Sequence, residues 1–137
     1  MSVKKRNIAA FPLDIEQLFG EDVNITTSGV IGSVVDLKGY GFGKGCVVID
    51  VKLAEDGDAD ETYAVALELS DDLAFSVPVE YGRRSIARGQ LGRDFFPMNN
   101  QIDATMYRYA RVSGDLAGTT PSLTVTSFLS EEVMPKG

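Results

Sequence analysis

The 137-residue chain has no histidine and only one cysteine, and both shortages exclude classes of function. Without histidine, no Ser-His-Asp or Cys-His catalytic arrangement can form, and no imidazole can bind a metal or transfer protons near neutral pH. The single cysteine, Cys46, excludes an intrachain disulfide and a cysteine-rich zinc site. It lies in the apolar run CVVID, which predicts a small buried hydrophobic residue rather than a reactive thiol. Carboxylate, lysine or tyrosine chemistry stays open without a supporting pattern, so we expect no enzyme activity and no cofactor.

The chain also lacks a long apolar run and an excess of basic residues. No stretch approaches the roughly 18 apolar residues of a membrane-spanning helix, so no membrane partner is expected. Twenty acidic residues against thirteen basic ones give a net charge of -7. Direct binding to nucleic acid is not expected either, because affinity for phosphates depends on clustered lysine and arginine. The early run IAAF is too short for a signal peptide, which favours a cytoplasmic product that is not exported.

What the chain does have is repeated alternation of apolar and polar residues, the pattern of strands with one buried face. The clearest examples are CVVIDVKL (46–53) and TYAVALELS (62–70), and LTVTSFLS (123–130) is a further β-rich run of branched and aromatic residues. In the first, Val47, Ile49, Val51 and Leu53 are predicted to share the buried face; in the second, Tyr63, Val65, Leu67 and Leu69. With weaker runs elsewhere the count is six to eight strands, which predicts an all-β, antiparallel sandwich or barrel.

The remaining segments divide the chain into an arm, one domain and a tail. Residues 1–14 are predicted to form an extended N-terminal arm, residues 15–130 a single β domain and residues 131–137 a C-terminal tail. At most one short helix is expected, DIEQLFG (14–20), with Gly20 as its end. Pro78 limits the strand SVPVEY (76–81) to the edge of a sheet or to a bulge.

Two basic segments are candidate docking elements in this acidic chain. The first is GRRSIARGQLGRDF (82–95), whose glycines and polar residues predict a long loop. It can be a solvated loop, or it can dock on an acidic protein surface, because arginine binds carboxylates in a fork and aromatic residues favour interface centres. The second is the N-terminal arm, of a kind that becomes ordered on a partner. The residues concerned are Lys4, Lys5, Arg6, Phe11, Arg83, Arg84, Arg88 and Arg93.

Three short motifs resemble functional sites without meeting their requirements. GYGFGKG (39–45) has neither the glycine spacing of a dinucleotide loop nor that of a Walker loop, and a predicted strand follows it, so a turn between strands is expected. EDGDADE (55–61) lacks the glycine and glutamate of an EF-hand, which leaves a solvated hairpin tip or a looser calcium site. SDD (70–72) puts two acids side by side in solvent, which favours an Asx-type turn over a catalytic pair.

A family resemblance begins at VALELSDDLAFS (65–76). This run is similar to a segment of small tailed-phage capsid cement proteins, the family named after the Bordetella phage cement protein. YRYARVSGDLAGTTPSLTVTSFL (107–129) resembles the family's C-terminal strand, turn and final strand. LFGEDVNITTSGVIGSVVDLKGYGFGKG (18–45) resembles its opening and the glycine-rich connection after it. The resemblance covers about residues 18–129, in order, and leaves out the arm and the segment 82–104.

The resemblance implies a jelly-roll-like sandwich on the outside of an icosahedral phage head, assembled in the host cytoplasm. There the protein would bridge neighbouring major capsid subunits as a homodimer or homotrimer, with no catalytic residues. One alternative is a carbohydrate- or host-binding β-sandwich module of a phage head or tail, although the chain has no tryptophan to stack on a sugar. A hydrolase with two carboxylates is a further alternative.

Overall fold

Ten β-strands make up the regular structure of residues 18–38 and 45–130, the part of the chain that the computed structural model describes. They are β1 (Leu18–Ile25), β2 (Gly29–Asp36), β3 (Gly45–Ala54), β4 (Thr62–Ser70), β5 (Val79–Ile86), β6 (Gly92–Met98), β7 (Gln101–Ile102), β8 (Thr105–Met106), β9 (Tyr109–Ala117) and β10 (Leu123–Ser130). These two ranges contain no helix long and apolar enough to cross a membrane.

The eight longer strands form two four-stranded antiparallel sheets. The first sheet has the order β1-β10-β3-β6, the second has the order β2-β9-β4-β5, and β7 pairs only with β8. This is the strand order of a jelly roll, in which most connections cross from one sheet to the other. The structure thus confirms the all-β, antiparallel, jelly-roll-like sandwich. The predicted six to eight strands correspond to the two sheets. The two-residue strand β7 was not predicted, and β8 falls in the alternating run TMYRYARVSG (105–114), which the structure divides into β8 and the start of β9.

The register places the connections at two opposite ends of the sandwich. Four of them cross between the two sheets and lie together at what we call the crossing end: residues 26–28, 55–61, 87–91 and 118–122. The other end, which we call the loop end, carries the β4–β5 loop (residues 71–78) and the β7–β8 hairpin.

The core lies between the two sheets, and β4 follows its predicted alternation. Its inward residues are Tyr63, Val65, Leu67 and Leu69, all at most 3% exposed. Burying one such side chain stabilises the fold by about 1.5–3 kcal/mol. The predicted inward face of β4 is therefore confirmed.

Strand β3 departs from its predicted alternation at both ends. Cys46 and Val48 point away from the core yet are at most 2% exposed, which confirms Cys46 as a buried hydrophobic residue. Leu53 was predicted to face inward but is 40% exposed. The reason is a bulge: Val51 pairs with Val125 and Leu53 with Thr124, so Lys52 is the extra residue and reverses the facing of Leu53.

The predicted helix 14–20 is wrong for its last three residues. Leu18, Phe19 and Gly20 begin β1 and pair with β10, and Phe19 is only 1% exposed in the core. The gain from burying this ring between two sheets outweighs a short helix that has little to pack against. Residues 14–17 lie outside the described ranges.

The predicted long loop 82–95 is also wrong, because most of it belongs to two strands. β5 pairs with β4 and β6 pairs with β3, and only residues 87–91 connect them. Pairing with a neighbouring strand thus overrides the weak strand preference of glycine and charged residues. Pro78 immediately precedes β5, which is an edge strand, as predicted.

Several predicted features lie outside the described residues. They are the N-terminal arm 1–14 with Lys4, Lys5, Arg6 and Phe11, the segment 39–44 of GYGFGKG, and the tail 131–137. The last glycine of that motif, Gly45, begins β3.

Candidate interaction surface

The four arginines of the predicted docking segment do not share one surface. Arg83 lies opposite Ala66 on the outer face of the second sheet. Arg93 lies opposite Asp50 on the outer face of the first sheet. Arg84 is at the edge between the sheets, and Arg88 is in the connection between β5 and β6 at the crossing end.

Arg83 is engaged by two carboxylates of its own chain. Its Nε and Nη2 donate to the carboxylate of Glu80 at 3.1 and 2.9 Å, and Nη1 lies 3.3 Å from Asp115. The hydrogen bonds with Arg83 lower the pKa of Glu80, and the same bonds raise the pKa of Arg83. Arg83 therefore joins its own strand to β9.

Arg84 closes the edge of the sandwich between β5 and β6. Its Nε lies 3.3 Å from a carboxylate oxygen of Asp94, and its Nη2 donates to the backbone carbonyl of Phe95 at 2.7 Å. The guanidinium thus occupies a backbone acceptor of β6, the edge strand of the first sheet. An occupied edge offers less opportunity for pairing with another chain.

Arg88 and Arg93 make looser contacts. Arg88 donates to the backbone carbonyl of Asp58 at 3.4 Å, and Arg93 lies over the ring of Phe128 at 5.9 Å from its centre. Both residues are exposed. Capsid contact by any of the four arginines stays a prediction, and the structure gives Arg83 and Arg84 an internal structural role.

The β4–β5 loop is held in one conformation by a small hydrogen-bond network around Asp72. Ser70 accepts a hydrogen bond from the backbone N–H of Asp72 at 3.1 Å, and its hydroxyl lies 2.8 Å from the Asp72 carboxylate. The carboxylate also accepts from the backbone N–H and the hydroxyl of Ser76, at 3.1 and 2.7 Å. These bonds, from Ser76 first and then Ser70, lower the pKa of Asp72. A turn is present at SDD, but the side chain that accepts the backbone N–H two residues along is that of Ser70, so it is a serine turn and not the predicted Asx-type turn.

Phe75 anchors the same loop on the outer face of the second sheet. Its ring is 5% exposed and lies 4.1 Å from the guanidinium carbon of Arg111. Arg111 in turn donates to Glu68 at 2.7 Å, in a pair whose side chains are only 22% and 21% exposed. Phe75 has a left-handed backbone, with φ of 53°, which costs about 1 kcal/mol for a residue with a Cβ. Burial of the ring and the cation–π contact offset that cost.

Two large apolar side chains remain exposed on this fixed loop. Leu73 is 64% exposed and Val77 is 78% exposed, each two residues away from buried Phe75 in sequence. A single exposed leucine is ordinary on a protein surface. Leu73 and Val77 both lie on the loop that the hydrogen-bond network and buried Phe75 hold in place, and we call these two residues the preorganised apolar projection.

The acidic segment 55–61 connects β3 in the first sheet to β4 in the second, so it is not the predicted hairpin tip, and it fixes the neighbouring turn. The hydroxyl of Thr119 donates to Asp60 at 2.8 Å, and this bond lowers the pKa of Asp60. The hydroxyl of Thr120 lies within hydrogen-bond distance of both Asp58 and Glu61. Across residues 18–38 and 45–130, no three acidic or cysteine side chains are grouped so that they could hold a metal ion.

Asp36 and Arg108 form a two-pronged ion pair between β2 and the start of β9. The guanidinium Nε and Nη2 each donate to one carboxylate oxygen at 2.9 Å. The hydrogen bond from Arg108 is the largest cause that lowers the pKa of Asp36 from 3.8 to about 2. Because the folded pKa lies below the ordinary value, the pair stabilises the fold above about pH 4 and loses this contribution as the pH falls towards 2.

The variant Asp36→Asn is therefore expected to be less stable than the wild type at pH 7 and equally stable at pH 2. Urea unfolding at a series of pH values measures the difference. Arg108→Gln, which removes the other partner, should show the same pH dependence. A gap between wild type and Asp36→Asn that stays constant down to pH 2 would show that the negative charge of Asp36 does not contribute to stability.

The described surface thus offers one preorganised apolar projection at the loop end. The arginines are spread over both faces of the sandwich, its edge and the crossing end. The loop residues Leu73, Phe75 and Val77 were not among the predicted site residues. Comparison with protein-family models finds no match for the chain, and a search of curated proteins finds no significant match.

Proposed function

We propose that this protein is a non-enzymatic virion protein that binds the outside of a tailed-phage head and links neighbouring major capsid subunits. The observation that carries the proposal is the loop after β4. The run VALELSDDLAFS (65–76), where the resemblance to capsid cement proteins begins, forms a buried strand and most of the anchored loop, including exposed Leu73. Exposed Val77 follows directly after the run. The jelly-roll sandwich is also the fold that this resemblance implies, although one fold serves many functions.

Linking is a matter of several weak contacts made at once. A homodimer or homotrimer presents the same loop two or three times, so the second contact forms at a high effective concentration after the first. Such an assembly stabilises a shell without any chemical step. The partners in this proposal are the major capsid protein and further copies of the same chain, and the location is the capsid exterior.

The proposal is tested by co-sedimentation with expanded, DNA-free heads assembled from the major capsid protein of the same virus. We expect saturable binding at a fixed ratio of this protein to capsid subunits, and a higher disassembly temperature for the loaded heads. Heads of an unrelated phage serve as the control. Protein that stays in the supernatant with both kinds of heads would contradict the proposal.

One observation favours a second candidate, a carbohydrate-binding module. An open cleft of about 540 Å³ lies at the crossing end, lined by Thr26, Glu55, Thr119, Thr120, Pro121 and Ser122. Hydroxyl and carboxylate groups can bind sugar hydroxyls, but this lining has no aromatic ring to stack on a sugar face. Binding to a glycan array by a protein that ignores heads would support this candidate instead.

A further inference from the structure

We infer that the β4–β5 loop is the element that docks on the capsid, by placing Leu73 and Val77 in an apolar socket with a basic rim on the outer surface of the major capsid protein. This inference rests on the proposed function and identifies the contact surface for it. It differs from the docking residues predicted from sequence, which lie in the arm and on β5, β6 and their connection.

The first argument is that the loop is already fixed before any partner binds. The network around Asp72 ties together residues on both sides of the turn, and a backbone bond from Phe75 N–H to the Asp72 carbonyl at 3.1 Å closes it. Phe75 then holds the turn against Arg111. A preorganised loop loses little conformational entropy on binding, so apolar contact contributes more of its free energy to affinity.

The second argument is exposure. Of the leucines and valines in the described residues, Val77 and Leu91 are the most exposed, at 78% and 68%, followed by Leu73 at 64%. Leu73 and Val77 share one anchored loop, whereas Leu91 is the single exposed leucine or valine in the connection between β5 and β6 at the crossing end. Apolar anchors that enter a pocket carry a large share of the binding energy at protein interfaces.

The third argument is charge, and it sets the chemistry of the partner. Asp71 and Asp72 are exposed in the loop, and no lysine or arginine of the described residues forms an ion pair with either of them. Asp72 is engaged by serine hydroxyls and backbone N–H groups, which leave its negative charge in place. A docking site complementary to this loop therefore has an apolar centre with lysine or arginine around it.

The experiment measures the binding of variants to the same expanded heads by co-sedimentation titration. The double variant Leu73→Ser with Val77→Ser is expected to weaken apparent binding at least about 10-fold. Leu91→Ser is the matched control, since the same residue type with similar exposure lies at the opposite end, and it should bind within about 2-fold of wild type. Asp71→Lys should also weaken binding, and wild-type affinity should fall as salt rises. All changed side chains are exposed, so thermal unfolding should show that each variant folds.

The outcomes separate this inference from the proposed function. If wild-type protein does not bind heads, the proposed function fails and the inference fails with it. If wild type binds and the double variant binds equally well, the proposed function stands and the inference is overturned. Weakened binding by Leu91→Ser alone would place the contact at the crossing end and would also overturn the inference. A double variant that becomes monomeric, by sedimentation, while wild type is oligomeric would show that the loop contacts a second copy instead.

Discussion

The variant Gly32→Ala is expected to lose about 4 kcal/mol of unfolding free energy, enough to leave little folded protein. A Cβ at this position would lie 2.2 Å from the backbone carbonyl oxygen of Phe19, where β1 and β2 cross at the side of the sandwich. Backbone atoms cannot move aside as the end of a flexible side chain can. Gly32 also has a φ of 88°, which alanine adopts only with strain. Urea denaturation followed by circular dichroism measures the loss.

Gly92→Ala is the matched control for this prediction. Gly92 has a similar φ of 99°, but a Cβ built there has nothing within 4 Å. It should therefore report the backbone strain alone, about 1 kcal/mol. Equal losses in the two variants would mean that the close approach of β1 to β2 is not what requires glycine at position 32.

The variant Phe75→Ala is expected to lose about 3 kcal/mol of unfolding free energy and to release the β4–β5 loop. The ring is nearly buried and provides both the apolar anchor and the contact with Arg111. Without it, the left-handed backbone at this position keeps its cost but loses its compensation. Chemical denaturation measures the stability, and the rate of proteolysis within residues 71–78 measures the release.

Leu73→Ala provides the control in the same loop. Because Leu73 is 64% exposed, its truncation should change stability by less than about 0.5 kcal/mol and leave proteolysis unchanged. Phe75→Ala should also bind heads more weakly, since a released loop must be ordered again on binding. A Phe75→Ala protein as stable and as protease-resistant as wild type would show that the ring does not anchor the loop.

The parts of the fold that could be predicted are those where alternation is strong. β4 has the bounds that its alternation indicates, residues 62–70, and β10 has those of its run of branched and aromatic residues, residues 123–130. Only the start of β5, residues 79–81, falls within the predicted strand SVPVEY. The rest of β5 and all of β6 could not be predicted in this way, since residues such as Gly82, Arg83 and Arg84 carry no apolar pattern. They are strands because β4 and β3 offer unpaired edges, a property of the assembled sheets rather than of the local sequence.

The candidate surface was harder to predict than the fold, because its contacts join residues distant in sequence. Glu68 and Arg111 are 43 residues apart, and only the pairing of β4 with β9 brings them together beneath the loop. Burial of Phe75 depends on that same pairing. The sequence did provide one local signal, the short S-D-D turn, and it correctly indicated a turn but not the exposure of Leu73 and Val77 beside it. The four arginines were conspicuous by composition, yet the sheets direct them to different places.

The most direct test of the account is an electron cryo-microscopy reconstruction of expanded heads saturated with this protein. The account predicts sandwich-shaped density on the outer surface of the shell, across the boundary between neighbouring capsid subunits. The loop end should face the shell, with residues 71–78 in contact with the shell and the crossing end directed away from it. A shell with no added density, while the protein remains folded in solution, would contradict the proposed function.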